Sequence, residues 1–426
     1  MLSTLRNAWN VPDLRKRMIF TLLMVVIIRM GIFIPVPGVD ATKLVELTSG
    51  GGTLFSFYDM LSGGAFSKFS IFAMGVGPYI NASIIMQLLV IAIPYLEQLS
   101  KEGVEGRKRI QDFTRYGSIV LGALQAFGMY AIISGTGAIP NTTSLTIFLV
   151  VLTMTTASTF LVWIGEQITG HGIGNGVSLI IFINIISGLP DIMYKISGLQ
   201  QAGEVNFVEV IMFIAVIAAL LVAVVIASLG ERRIPVQYAG KSVGNKVFKG
   251  QSTHIPIGVT ASGVIGIIFA MSVMTFPETI AQLKPGSWVS ALITDSKWSP
   301  FQRNSWKYAV VYFVLIVFFT WFYTQVTFKP DEMAENMHKS SGFIPGIRPG
   351  ENTANYIDKV LTKISILGGS FAGLIAIFPI IVEGATKFKG IYFGGTMLLI
   401  MVNVAIETLR QLESQLVMRH YKGFLR

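Results

Sequence analysis

The sequence contains no cysteine. Disulfides, thiolate metal ligands and thiol nucleophiles are thereby excluded. Charge is also scarce: Asp, Glu, Lys and Arg make up 13% of the 426 residues, against about 25% in soluble domains. Histidine occurs only at His171, His254, His338 and His420, and no two have the helical or finger spacing of a zinc site. What the chain has instead is apolar bulk. Hydrophobic residues are 52% of it and the mean hydropathy is +0.63. Such values place it among polytopic membrane proteins, an all-α class.

Ten apolar runs are predicted to form membrane helices: 18–37, 70–94, 116–135, 146–169, 177–196, 208–229, 258–280, 306–328, 364–382 and 391–409. The weakest are 177–196 and 258–280, and losing either would give nine. The first span is expected to be retained, because no small-residue cleavage site closes it. Charge supports ten. With the N-terminus inside, the inner segments hold 23 Lys and Arg and the outer ones 8, with Arg29 and Lys307 within or beside spans. That is the positive-inside bias, and it puts both termini in the cytoplasm. A net charge of +10 then suits anionic headgroups, or an acidic or RNA-bearing partner. Five helices per half (1–196 and 197–426) would set the halves in opposite orientation, as in secondary transporters.

Motifs for covalent chemistry are weak. GHGIGNG at 170–176 lacks the strand and the Lys-Ser/Thr of a phosphate loop, so it reads as a tight connector. Thr260-Ala261-Ser262-Gly263, with His254 nearby, is similar to the serine motif of intramembrane proteases, but the leading glycine is missing and His254 lies outside the span, so Ser262 reads as a helix-packing residue. Ionisable residues within spans are few, and Arg29, Glu166 and Glu407 are the ones considered as functional candidates. An ion-coupled transporter would be expected to hold more buried carboxylates.

Val76 and Ile80 are four apart, as are Val177 and Ile181, and each pair follows a glycine-rich entry. They read either as core packing or as branched aliphatics narrowing a pore. Two inner segments, 230–257 and 329–363, are long for loops. In the second, Pro and Gly on both sides of Arg348 suit a cation held at a loop tip. The stretch LFSFYDMLSGGAFSKF at 54–69 is too short and polar to span, yet too apolar for a solvated loop.

With these motifs in view, the chain resembles the SecY family, the channel subunits of bacterial Sec protein translocases. The resemblance runs almost end to end. It is carried by FIPVPG at 33–38, SGGAFSKFSIFAMGVGPYINASIIMQLL at 62–89, EGRKRIQDFTRYG at 105–117 and WIGEQITGHGIGNGVSLIIF at 163–182. It continues through GERRIPVQYA at 230–239, GQSTHIP at 250–256, GFIPGIRPGENTANYIDKV at 342–360 and IYFGGTMLLI at 391–400.

The resemblance implies ten helices in two pseudo-symmetric halves around an hourglass channel, with SecE and SecG as companion subunits. It implies a constriction at Val76, Ile80, Val177, Ile181, Ile268 and Ile400. It implies a lateral gate between spans two and three and spans seven and eight, with Asn81, Gln125 and Thr260 along it. Residues Leu54, Phe55, Phe57, Tyr58, Met60, Leu61, Gly63, Gly64 and Phe66 would form a re-entrant plug helix. Gly63-Gly64 would be its hinge, and Asp59 and Lys68 would ease its exit. Arg232, Arg233, Lys246 and Arg348 would dock the SecA motor or the ribosome.

The chain departs from the family pattern at Gly240 and Asn245, commonly basic, which weakens the expectation of docking through that loop. Gly266 stands where a proline is usual, and Thr260 where an Asn is common. The expected function is a passive channel for an unfolded preprotein with its signal peptide, in the bacterial plasma membrane. No cofactor, metal or covalent step is expected, and energy would come from SecA or the ribosome. Secondary transport and intramembrane proteolysis are the rivals.

Overall fold

The structure is a computed structural model. It describes residues 2–40, 59, 62–134, 139, 143–238, 241–243, 246–248, 252–260, 262–283, 293, 301, 305–386, 388 and 394–423.

A short helix α1 (Leu2–Asn10) leads into α2 (Pro12–Gly31). Proline suits the first turn of α2, where an N–H has no helical partner. Residues 62–76 are a chain of turns. Then α3 (Gly77–Ala92) meets α4 (Pro94–Lys101) at a bend of 100°. Pro94 supplies the break, since the residue before a proline avoids the helical region, and Ile93 is extended. Helices α5 (Val104–Ser134), α6 (Ser144–His171), α7 (Gly176–Gln201) and α8 (Phe207–Leu229) follow. Asn175 caps α7 by accepting from the Ser178 N–H at 3.2 Å. A reciprocal box of Asn206 and Glu209 caps α8.

Next come strands β1 (Glu231–Tyr238), β2 (Lys241–Val243), β3 (Lys246–Phe248) and β4 (Ser252–Gly258), then helices α9 (Gly263–Leu283), α10 (Trp306–Phe328) and α11 (Pro330–Lys339). Strand β5 (Gly342–Phe343) precedes the long helices α12 (Glu351–Ala385) and α13 (Gly395–Gly423).

Each of the ten apolar runs contains one long helix. Among the described residues, α6, α7, α8, the α10–α11 stretch and α12 are each long and apolar enough to cross a bilayer. A sixth span is added if α3 and α4 count as one bent crossing. The surface is apolar where water would forbid it. Only 6% of the most apolar window of α8 is buried against the rest of the chain, so its side chains need hydrocarbon around them.

Three expectations are corrected. The run 70–94 is helical only from Gly77, because 70–76 turn tightly to bring the chain back into the core. The run 258–280 is helical only from Gly263, because Gly258 still belongs to β4. And the two inner segments are not simple loops. Strands β1 and β4 of the first join β5 of the second in an antiparallel sheet of order β4-β1-β5, and β2 pairs with β3 in a separate hairpin. Alternation in β1 drives this: Ile234 and Val236 are buried while Arg233, Pro235 and Gln237 face out. Below the sheet they pack with Ile257, Met337, Ile344, Ile357 and Leu361 into a separate small core. Helix α7 also continues past 196, the expected division between halves, to Gln201.

Candidate functional site

Ser158 of α6 donates to the Gly75 carbonyl at 2.9 Å and pins the entry to α3. That fixes Val76, the residue before α3, whose carbonyl accepts from the Ile80 N–H at 3.1 Å. Val76, Ile181 and Ile400 are buried in one apolar cluster, with Ile80 and Val177 packed against it. Five of the six expected constriction residues, from α3, α7 and α13, thus come together. Ile268 on α9 is half-buried and outside that cluster. Val264, one turn earlier on α9, packs against it instead.

The expected plug lies only partly within the described residues. Leu54, Phe55, Phe57, Tyr58, Met60 and Leu61 lie outside them. The rest is well defined. The Asp59 side chain accepts from the Ser67 N–H at 2.6 Å, and its carbonyl accepts from Gly64 N–H at 2.8 Å. Ala65 is fully buried in the cluster that holds Val76 and Ile400, while Phe66 and Phe69 are buried in the adjoining cluster. Gly63 and Gly64 both have positive φ, +68° and +83°. The Gly63 carbonyl accepts from Arg29 Nη1 at 3.3 Å. In this state the glycine pair is a fastened turn. The Lys68 ammonium rests over the Phe33 ring, 4.3 Å from its centroid.

Along the expected gate, Asn81 of α3 meets α9: the Ser272 hydroxyl donates to Asn81 Oδ1 at 3.1 Å. Ser272 was missed from sequence, although it is a polar residue in the otherwise apolar stretch 263–274 of α9. Thr260 is buried just before α9 begins, and its carbonyl accepts from the Gly263 N–H at 3.0 Å. Gln125 is half-buried on α5. Inward of Asn81 the seam opens into a groove of about 850 Å³. Tyr79, Met86 and Ile91 of α3 and Ile110 of α5 line one side, and Phe269 of α9 with Phe322 and Val326 of α10 the other. Charges rim its inner mouth: Glu97, Arg107 and Lys329. Lys101, hydrogen-bonded to Glu97 at 2.7 Å, holds that carboxyl below its ordinary range, and Lys329 adds to the effect.

In the sheet, Arg233 pairs with Glu231 at 2.6 Å and Arg232 is exposed. Lys246 lies in β3, facing β2 in a small hairpin. Arg348 is exposed on a turn held from both sides, by buried Ile344 and by Thr353, which donates to the Arg348 carbonyl at 2.9 Å.

The other motifs are structural. The 170–176 connector is tied to α2 by Arg17, which donates to the Gly172 carbonyl at 3.4 Å, and by Thr21, which accepts from Ile173 N–H at 3.2 Å. Glu166 pairs with Arg115 at 2.7 Å and joins α6 to α5. His254 is paired with Pro235 in the sheet, and Ser262 is buried at the foot of α9.

The SecY family profile matches residues 70–409. A protein translocase subunit SecY from Halalkalibacterium halodurans is 42% identical, over all of both chains. The chain belongs to the SecY family. A SecY from Thermus thermophilus is also 42% identical, covering 100% of this chain and 98% of that one, and the Escherichia coli SecY is 40% identical over 98% and 95%. Among solved structures, one described as a protein conducting channel superposes with a TM-score of 0.67 at 20% identity, covering 94% of this chain and 92% of the other. Canine Sec61 in a ribosome-channel complex gives 0.63 at 19%, with the same coverage. The family fold is therefore that of the helices described above.

Proposed function

We propose that this SecY-family chain is a protein-conducting channel that passes unfolded secretory polypeptides across the membrane and releases transmembrane segments sideways into lipid. The observation that carries the reading is the groove between α3–α5 and α9–α10. Apolar and aromatic side chains make up most of its lining, with Ser83, Gln87, Gln111 and Thr114 among them, and its charged residues are Glu97, Arg107 and Lys329. Its lining residues Tyr79 and Phe269 adjoin Ile80 and Ile268 in sequence. An apolar signal segment entering from the cytoplasm would find side chains to replace its water. Lipid lies beyond the seam, and transfer there is favoured by the segment's own hydrophobicity.

In this reading all ten long helices cross the bilayer, as two inverted halves with both termini cytoplasmic, in the bacterial plasma membrane. Val76, Ile80, Val177, Ile181, Ile268 and Ile400 form a ring that seals around the moving chain, and the segment 54–69 closes the idle channel from outside. SecE and SecG accompany the chain. SecA or the ribosome supplies the energy, binding the inner platform that carries Arg232, Arg233, Lys246 and Arg348. No bond is made or broken by the channel itself.

The test is reconstitution in liposomes with SecE and SecA, scored by protection of a preprotein from added protease. ATP-dependent protection is expected. Its absence, or ion-driven uptake of a small solute instead, would replace this reading with transport. Arg348→Glu should reduce SecA-driven protection about tenfold or more while the assembled complex is recovered at parent levels; unchanged transport would remove Arg348 from the docking surface.

A further inference from the structure

Three residues on the outer part of α7 have no place in the conduction path described so far. Ser187, Asp191 and Lys195 are four apart, so they stand in one row on a single helix face. Its Ser187 end meets the turn that follows the expected plug helix, while Asp191 and Lys195 are exposed. Arg29, two residues before the end of α2, donates through Nη1 to Ser187 Oγ at 2.7 Å and to the Gly63 carbonyl at 3.3 Å. Ser187 in turn donates to the Asn184 carbonyl at 2.7 Å, which leaves its oxygen lone pair for Arg29. The charge of Asp191 acts through space on Arg29, and those of Lys195 and Asp191 act on Asp59.

The fit at Gly63 is close. A Cβ there would lie 2.9 Å from both Arg29 Nη1 and Ser187 Oγ and 3.0 Å from the Asn184 backbone. The peptide is held between two spans, in a backbone conformation that glycine favours. An arginine at this depth requires acceptors, and its charged bonds are stronger than neutral ones. If the turn left its seat, Arg29 would lose the Gly63 carbonyl, one of the two acceptors that the described residues give it, and that loss favours the seated turn.

We propose that Arg29 and Ser187 form a latch that holds the outer seal shut in the idle channel, with the Gly63 carbonyl as its catch. This rests on reading 54–69 as the seal.

The test is iodide efflux from liposomes holding the purified channel complex with no preprotein present. Loss of a charge-assisted bond shifts a two-state balance by about tenfold or more. Arg29→Met should raise the idle leak by that order, and Arg29→Lys should restore part of the seal. Ser187→Ala should raise it by about two- to fivefold. The double variant should leak no more than Arg29→Met alone, because Ser187 acts through Arg29. Thermal stability should stay at the parent value throughout. A parent-level leak in Arg29→Met overturns the latch. If that variant does not assemble, a parent-level leak in Ser187→Ala overturns it equally.

Deletion of 54–61 separates the two ideas. A leak on deletion without a leak in the point variants discards the latch alone. No leak on deletion discards the seal itself.

Discussion

Helix α9 has two unlike neighbours. Toward α10 there is no room for a methyl group: a Cβ at Gly266 would collide with the Thr320 side chain and lie 2.9 Å from its backbone nitrogen. Gly368 and Gly369 bring α12 equally close, one against the Val259 backbone and the other against Val317 and Thr320. Toward α3, contact is made by a polar pair, Asn81 and Ser272, beside an open groove. Small residues let helices approach until backbones touch, and such contacts do not open gradually. A single hydrogen bond contributes far less. If the proposed gate opens, the difference puts the parting at α3, with α9, α10 and α12 kept together.

The largest test of that contrast joins the loose side. The natural chain has no cysteine, so Asn81→Cys with Ser272→Cys can be coupled by a short bismaleimide without side reactions. Coupling should abolish preprotein transport; transport at the parent rate with coupling complete would place the opening elsewhere. Overfilling the tight side comes next. Gly266→Val should destabilise the protein by about 1–3 kcal/mol, seen as a lower midpoint of thermal unfolding in detergent. An unchanged midpoint would mean that α9 and α10 are free to separate.

Asn81→Ala removes one net hydrogen bond, about 0.5–1.5 kcal/mol. It should loosen the seam and speed transport of a preprotein with a weakly apolar signal by about two- to tenfold, with the unfolding midpoint little changed. A slower rate would show that Asn81 helps conduction and does not hold the gate shut. The smallest effect is expected at the inner mouth. Lys329→Glu places like charge near Glu97 and should alter the rate by less than about threefold, vanishing in high salt. An effect that survives salt would need a cause other than exposed charge.

The long helices were legible because apolar runs of membrane length admit few other structures. The ends were less so. Nothing in the composition of 70–76 announces turns, because residues buried in protein need not look polar. The inner segments were misread for a related reason. Their strands are short, and β5 finds its partner more than a hundred residues earlier in the chain, so no local pattern could pair Phe343 with Gln237.

For the site, spacing alone put Val76 with Ile80 and Val177 with Ile181. Only three-dimensional packing shows that Val264 contacts their cluster, where Ile268 was expected. The Ser187–Asp191–Lys195 row was visible at its spacing of four. Its meaning was not, since Arg29 lies 158 positions from Ser187.

The length of α12 has a mechanical consequence. At about 1.5 Å per residue its 35 residues reach roughly 50 Å. It begins at Glu351, three positions beyond Arg348, beneath the small sheet, and continues past the crowded glycines at 368 and 369. The sheet cross-braces its near end, so the whole behaves as a strut. In the proposed function, force delivered at the Arg348 turn would be carried along α12 to the glycines that hold it against α10.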